Sequence, residues 1–403
     1  MWAVVLYDDA GPSPVPINPT FYLIRGSVKK ILYIVSTLNN SGPTNQLYNI
    51  IKYLDRSQFE PNLITLSPES VDSRWTDYEK LGVNLYSLNL SRIVGVFLGK
   101  IRLSKKIYEI GPDLLHTQGI RSDMLSASLE VRIPRVATIR NFPQHDYTMT
   151  YGKSQSMFML WKHPRAWKKL DLCVGVSEAV SKNLADQFDI CDVETVPNGV
   201  DTEIYQKVSQ ADKIELRRNL KLSESADIWV SSGHLSERKD PLLIIATWKE
   251  IFANDPASHL IFIGDGSVRG ECETASADCP NIHFCGRVSN VSDYLQASDY
   301  FISASKAEGL PNAVLEAIAC GLPVVLSDIA PHREIWGMSP DIGELFDLGD
   351  KESLKSAFNL MKEKNADTQY EATQSLVEEK LSAQVMSKCY QSIYKRLISG
   401  EAQ

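Results

Sequence analysis

Short apolar runs recur along this 403-residue chain, separated by polar segments with helical spacing. Ile31-Leu32-Tyr33-Ile34-Val35 is a continuous apolar run of the fully buried, parallel-strand type. The polar turn Asn39-Asn40-Ser41-Gly42-Pro43-Thr44 follows, then apolar positions at Leu47, Ile50, Ile51 and Leu54 with the period of a helix. Leu63-Ile64-Thr65-Leu66 reads as the next strand. Strand, helix and strand at this spacing predict a right-handed parallel unit. Further strands are predicted at 114–116, 136–139 and 172–176, and Val196-Pro197-Asn198-Gly199 marks a turn or hinge. After a charged stretch over 207–224, read as helix and linker, strands are predicted again at 228–231, 260–263, 282–284, 300–302 and 324–326. The last helix, 383–397, carries apolar positions at Val385, Met386, Cys389, Tyr390, Ile393 and Tyr394. The pattern predicts α/β architecture in two doubly wound domains, 28–200 and 225–382, joined by a linker over 201–224. Residues 1–27 read as an irregular extension.

The bulk numbers narrow the classes. A net charge of −8 argues against a general nucleic-acid binder, which would show a basic excess. Seven scattered cysteines with no CxxC and no zinc spacing fit a reducing cytoplasm better than a disulfide framework. No apolar run reaches the length of a membrane span. Met1-Trp2-Ala3-Val4-Val5-Leu6-Tyr7 lacks a basic start and runs into Asp8-Asp9, so it makes a poor signal peptide. The expectation is a cytoplasmic protein.

The most informative stretch is Glu308-Gly309-Leu310-Pro311-Asn312-Ala313-Val314-Leu315-Glu316. A short buried strand precedes it and a helix-forming run continues it, so it reads as strand, loop and helix. Pro311 falls near the first helical position, where its missing N–H costs nothing. The free N–H groups of such a helix start form a seat for an anion such as a diphosphate. Glu308 precedes the helix and Glu316 lies about a turn and a half inside it, so both can face one cleft. Carboxylates beside a diphosphate suit sugar or ribose hydroxyls. Two solvated surface glutamates are the bland alternative, and the mostly apolar surroundings count against it.

This segment resembles the E-x7-E region of retaining GT-B glycosyltransferases of family 4, the glycosyl transferases group 1. The match continues through Gly321-Leu322-Pro323-Val324-Val325 and Ser327-Asp328 to Glu334. The resemblance implies two Rossmann-like domains facing each other across a cleft, the first binding the acceptor and the second the nucleotide-sugar donor. It implies that helix 383–397 crosses back onto the first domain. It further implies that Glu308 contacts the transferred sugar and Glu316 the ribose. Gly309, Leu310, Pro311 and Asn312 would meet the sugar and the diphosphate.

Gly233-His234-Leu235-Ser236-Glu237-Arg238-Lys239 follows a strand and precedes a helix. A cation at such a turn can neutralise a diphosphate leaving group as its charge grows. The stretch resembles the family's Gly-Arg-Leu…Lys pattern. Lys239 falls on the family's lysine, whereas His234 stands in place of the usual arginine and contributes less charge. Arg238 is a candidate replacement. Gly42, where the first strand meets the first helix, suits close approach of backbone to phosphate or sugar, although a plain turn glycine would look the same.

Pro112-Asp113-Leu114-Leu115-His116 resembles the family's Pro-Asp-x-x-His stretch and places His116 at a strand end facing the cleft, near the reacting carbon. Where a second family histidine is expected, this chain has Arg140 and Asn141, with His145 as a candidate substitute on the acceptor side. Ser177 reads as a helix N-cap. Asp265, in Gly264-Asp265-Gly266, resembles a Gly-x-Gly turn but lacks the rest of a dinucleotide fingerprint. No apolar-flanked Asp-x-Asp appears, and the fold class that the resemblance implies usually does without metal, its cationic and helix-end groups acting on the diphosphate instead, so neither a metal nor a cofactor beyond the substrate nucleotide sugar is expected.

Residues 81–108 contain no acid but hold Arg92, Lys100, Arg102, Lys105 and Lys106. Residues 151–170 repeat the pattern, with Lys153, Lys162, Arg165, Lys168 and Lys169 among Phe158, Trp161 and Trp167. Basic residues interleaved with aromatics suit an anionic membrane surface; two amphipathic helices with solvated basic faces would show the same pattern. The resemblance thus implies a retaining transferase that moves a sugar from a UDP- or GDP-sugar to a sugar or lipid-linked sugar acceptor, in polysaccharide or glycolipid synthesis, at the cytoplasmic face of a membrane. No nucleic-acid partner is expected. No strong nucleophile or base is evident, in keeping with the front-face attack, assisted by the leaving phosphate, that the resemblance implies. The alternatives are a GT-B nucleotide-sugar epimerase, against which the 308–334 match argues, and a non-catalytic glycan-binding protein on the same fold, supported only by His234 and Arg140.

Overall fold

The computed structural model describes residues 28–253 and 255–400; the predicted extension 1–27 lies outside them. The first domain alternates strand and helix: β1 (Lys29–Val35), α1 (Gly42–Lys52), β2 (Phe59–Thr65), α2 (Trp75–Lys80), β3 (Asn84–Ser87), α3 (Arg92–Ile110), β4 (Leu114–Gln118), α4 (Ile120–Ala127), β5 (Arg135–Ile139), α5 (Pro143–Trp167), β6 (Leu172–Gly175), α6 (Glu178–Phe188) and β7 (Val193–Thr195). The second continues with α7 (Gln210–Asn219), β8 (Asp227–Ser232), α8 (Pro241–Phe252), β9 (Ser258–Ile263), α9 (Arg269–Ala275), β10 (Ile282–Gly286), α10 (Val291–Ala297), β11 (Tyr300–Ser303), α11 (Asn312–Ala319), β12 (Val324–Ser327), α12 (Ala330–Met338) and β13 (Gly343–Phe346). Three helices close the chain: α13 (Lys351–Glu363), α14 (Ala366–Leu376) and α15 (Ala383–Ser399).

Both sheets are parallel. The first has seven strands in the order β3-β2-β1-β4-β5-β6-β7, the second six in the order β10-β9-β8-β11-β12-β13. The order reverses between β1 and β4 and between β8 and β11, and the crevice beyond the carboxyl ends of strands at such a switch point is where this architecture binds ligands. The loops after β1, β4, β8 and β11 therefore carry the candidate chemistry. The periodicity did not predict β3, β7 and β13; they are three or four residues long, at or near sheet edges and only partly apolar.

The stretch 201–224, expected as a linker, docks on the second domain. Arg217 of α7 is buried and donates to the carbonyls of Ala297 (2.9 Å) and Ala226 (3.1 Å) and to Asp299 (2.5 Å). A buried guanidinium with all these partners ties α7 to the sheet. The chain crosses between domains twice at one place: Val200 N donates to Leu381 O and Ala383 N to Val200 O, both at 2.8 Å. Gly199 is required there, because a Cβ would lie 2.6 Å from Ala383 Cα. Helix α15 then packs on α1 and β4, burying Met386, Tyr390, Ile393 and Tyr394 in the first domain's core. Another apolar cluster runs through both domains, from Val176, Val180 and Leu184 to Leu310, Val314 and Ile318.

Candidate active site

The strand β11 ends at Ser303, and the chain returns through Glu308 to α11, whose N-cap is Pro311. The β8 strand ends at Ser232, and its loop brings Arg238 and Lys239 beneath the same carboxylate. Lys239 Nζ stands 2.6 Å from Glu308 Oε1 and Arg238 Nη1 stands 3.0 Å from Glu308 Oε2. Arg238 also donates to the Ala307 carbonyl at 2.8 Å. Gly233, at φ 145°, makes room for Lys239: a Cβ there would be 3.3 Å from Lys239 Cε. Glu308 is 8% exposed. Desolvation alone would raise its carboxyl, but Lys239 and then Arg238 overcome that and hold it down to about 2.

Glu316, on the first turns of α11, is half-buried. Desolvation pushes its carboxyl up to about 7, and Lys239 offsets only part of this. The two glutamates therefore differ in kind: one is a fixed anion in an ion cluster, the other titrates near neutrality. Their stability signatures have opposite sign. Glu308, depressed from 4.5, contributes stability that is present above pH 4.5 and lost as the pH falls through about 2. Glu316, raised from 4.5, holds a proton in the fold that the unfolded chain has released, so its contribution falls as the pH rises from 4.5 through about 7. Glu316→Gln is accordingly expected to unfold at a higher temperature than the parent at pH 8 and at the same temperature at pH 4.5. Calorimetric melts at the two pH values check this, and a gain that is equal at both would contradict the assignment.

His332, on α12, is a participant that the motifs did not single out. It is fully buried; its Nδ1 donates to Ser327 O at 2.8 Å, which leaves Nε2 as an acceptor. Desolvation lowers its imidazole to about 4, although the Glu308 charge acts to raise it. Its place near Glu308 comes from the β12–α12 turn, which no spacing rule ties to residue 308.

The loop after Glu308 is clasped by the first domain. Ser177 Oγ donates to Gly309 O at 2.8 Å while capping α6. Asn198 Nδ2 donates to Leu310 O (3.1 Å) and to Asn312 Oδ1 (3.0 Å), which also accepts from Gln46 Nε2 (3.1 Å). Gly42 faces the same asparagine, with a hypothetical Cβ 3.1 Å from Asn312 Nδ2. Glu334 reaches across to accept from the backbone amides of Glu178 (2.9 Å) and Ala179 (3.2 Å) at the start of α6.

Four expectations need correction or limits. His116 does not face the cleft. It is fully buried, with Nδ1 2.7 Å from the Tyr394 hydroxyl and Nε2 2.8 Å from Thr138 Oγ1. The ring stacks on Tyr390, and burial lowers it to about 3. Both nitrogens are spent on holding α15 to the sheet, so it is a packing residue. His234 is exposed and takes no part in the ion cluster; Arg238 supplies the second cation. The side chain of His145 lies outside the described residues, as does that of Lys153. Asp265 stays exposed, bonded to Gly266 N at 2.7 Å.

Beside the cluster lies a cavity of 630 Å³, lined by first-domain residues that include Arg92, Arg121, Asp123, Arg140, Asn141, Asp146, Tyr147 and His163. Arg140 donates to Gln118 Oε1 and Asn198 Oδ1, both at 3.0 Å, and its carbonyl abuts Gly309. Asn141 Nδ2 donates to Asp146 Oδ1 at 3.3 Å. Desolvation raises the Asp146 carboxyl, opposed first by the charge of Arg238, which brings this cavity within electrostatic reach of the Glu308 cluster.

Fold and site together define a two-domain GT-B glycosyltransferase. Residues 226–362 match the model for glycosyl transferases group 1 and residues 40–204 that for glycosyltransferase family 4, and the chain belongs to this family. It is 24% identical to an uncharacterised glycosyltransferase of Methanocaldococcus jannaschii, over 56% of this chain and only 58% of that protein. It is 25% identical to the UDP-Gal:alpha-D-GlcNAc-diphosphoundecaprenol alpha-1,3-galactosyltransferase of Escherichia coli, over 75% of this chain and 80% of the relative. Among solved structures, HepE of Anabaena in complex with UDP and glucose superposes with a TM-score of 0.74 at 19% identity, covering 91% of this chain and 99% of that one.

Proposed function

We propose that this transferase takes a sugar from a UDP-sugar and passes it, with retention of anomeric configuration, to a lipid-linked sugar acceptor in polysaccharide or glycolipid synthesis. The observation that carries this reading is the cluster of Glu308, Lys239 and Arg238 at the start of α11, with Glu316 further along the same helix. Glu308 orients the transferred sugar through its hydroxyls. Glu316 receives the ribose hydroxyls. Lys239, Arg238 and the unpaired N–H groups of the helix start take up the charge of the leaving diphosphate, without a metal or other cofactor. Glu308 is tied into two ion pairs, which suits a binding role better than a nucleophilic one, so retention follows from attack on the face that the diphosphate leaves. UDP is chosen over GDP because the Escherichia coli relative is named for a UDP-Gal donor and a GlcNAc-diphosphoundecaprenol acceptor.

A ligand held at about a hundredfold over its dissociation constant adds roughly 2.7 kcal/mol of stability. UDP is expected to raise the melting temperature, and GDP and ADP to do so much less. Glu316→Ala should lose the UDP shift. No shift of the parent protein with any of the three nucleotides would remove the donor-site reading.

A further inference from the structure

Lys239 and Arg238 have two anions to serve. In the structure both are engaged by Glu308, with Lys239 Nζ 2.6 Å from Oε1 and Arg238 Nη1 3.0 Å from Oε2. The transferase reading above turns both toward the leaving diphosphate. Arg238 has a second tie, to the Ala307 carbonyl at 2.8 Å, which keeps its guanidinium beside the loop. Lys239 Nζ has no partner but Glu308 among the described residues, so a diphosphate draws it away first. Glu308 is buried, and a buried carboxylate that loses a cation is left at a cost unless another takes its place.

His332 stands where a replacement is needed. The imidazole is fully buried and held from one side. Its Nδ1 donates to Ser327 O at 2.8 Å, and Ser327 Oγ donates in turn to Ser305 O at 2.7 Å, which ties the β12–α12 turn to the loop that leads to Glu308. Its Nε2 is buried and has no hydrogen-bond partner among the described residues. An orphaned buried nitrogen is costly, and on an imidazole a proton turns it into a donor. The charged groups that bear on the ring are Glu308, Lys239 and Asp328, the last held by Arg333 at 2.8 Å. Burial, assisted by Lys239, keeps the ring neutral, whereas the Ser327 carbonyl, Glu308 and Asp328 favour the cation. Withdrawal of Lys239 and arrival of a diphosphate both move this balance toward the cation. We propose that His332 is a positioning residue of the donor site: when the donor diphosphate draws Lys239 away, Nε2 takes a proton from solvent, and the imidazolium holds Glu308 in place for the sugar. The proton returns to solvent when the nucleotide leaves and Lys239 swings back. This inference rests on the donor-site reading above and adds the group that keeps Glu308 paired.

The test titrates UDP into the full chain by calorimetry at pH 6 and pH 8, each in one buffer of low and one of high ionisation enthalpy, so that the difference in heat counts protons exchanged. His332→Asn keeps a donor where Nδ1 stands and removes the second ring nitrogen. At pH 6 the parent is expected to take up at least roughly half a proton more per UDP than His332→Asn, and the gap to close at pH 8. Protons exchanged by Glu316 and by UDP itself are common to both proteins and cancel. The complex binds more protons than the free protein, so the parent's affinity relative to that of His332→Asn should fall by about threefold between pH 6 and pH 8. His332→Gln places a neutral N–H donor near the position of Nε2; it should bind UDP more tightly than His332→Asn and take up no extra proton. An imidazole that only fills space would leave proton exchange equal in the parent and both variants while UDP still binds, and that result overturns the proposal. Each variant should keep a UDP melting shift, which shows that it is folded. Failure of the parent itself to bind UDP would instead remove the donor reading, and this inference with it.

Discussion

Lys239→Ala is expected to lower kcat/KM by about 10²–10³, or roughly 3–4 kcal/mol of transition-state stabilisation. The lysine sits 2.6 Å from Glu308 and only partly exposed, so its charge is weakly screened where the diphosphate would gain negative charge. The effect should appear chiefly in kcat, because charge on the leaving group grows during the reaction, whereas UDP should still bind. The change also removes the larger of the two cationic influences on Glu308, whose carboxyl should then move back toward its ordinary range. Lys239→Arg should restore part of the rate by restoring the charge. Steady-state kinetics of the two variants with one nucleotide sugar decide the matter: an alanine variant within about threefold of the parent would mean that the charge is not used in the rate-limiting step.

Gly309→Ala is expected to reduce kcat by about 10² while leaving each domain folded. A Cβ at this position would lie 1.8 Å from Arg140 O and 2.9 Å from Asn141 Oδ1. The first is a backbone atom and cannot rotate aside. The domains would have to part by roughly 1.5 Å to reach ordinary contact distance. That movement would also lengthen the 2.8 Å bond from Ser177 Oγ to Gly309 O. Glu308, one residue earlier, would then be displaced from whatever the first domain holds. The melting temperature should change by only a few degrees, and small-angle scattering with UDP bound should show a more open pair of domains. A variant with parental kcat would show that the reaction does not need this contact.

Much of this protein was legible in its residues. The uninterrupted apolar runs at 31–35 and 260–263 have the pattern of strands covered on both faces, and that is how β1 and β9 lie. The glycine, proline and helix formers of 308–319 announce a strand–loop–helix turn, and Glu308 and Lys239 do meet there. These features are local: backbone sterics, the missing proline donor and strand or helix periodicity act over a few residues, so spacing along the chain suffices to determine them. Contacts between distant segments are different. His116 looked catalytic at its strand end, but α15 covers it with Tyr394, 278 residues away. Arg238 rather than His234 became the second cation because the loop turns it toward Glu308, which composition cannot specify. The orphaned Nε2 of His332 and the clasp on Gly309 are products of packing between separate elements of the chain. Local sequence was enough for most of the elements, for the two-domain α/β fold and for the strand–loop–helix turn at 308–319, whereas which side chains end buried, paired or left free was settled by packing, because those outcomes depend on the excluded volume and charge of neighbours brought together by the fold.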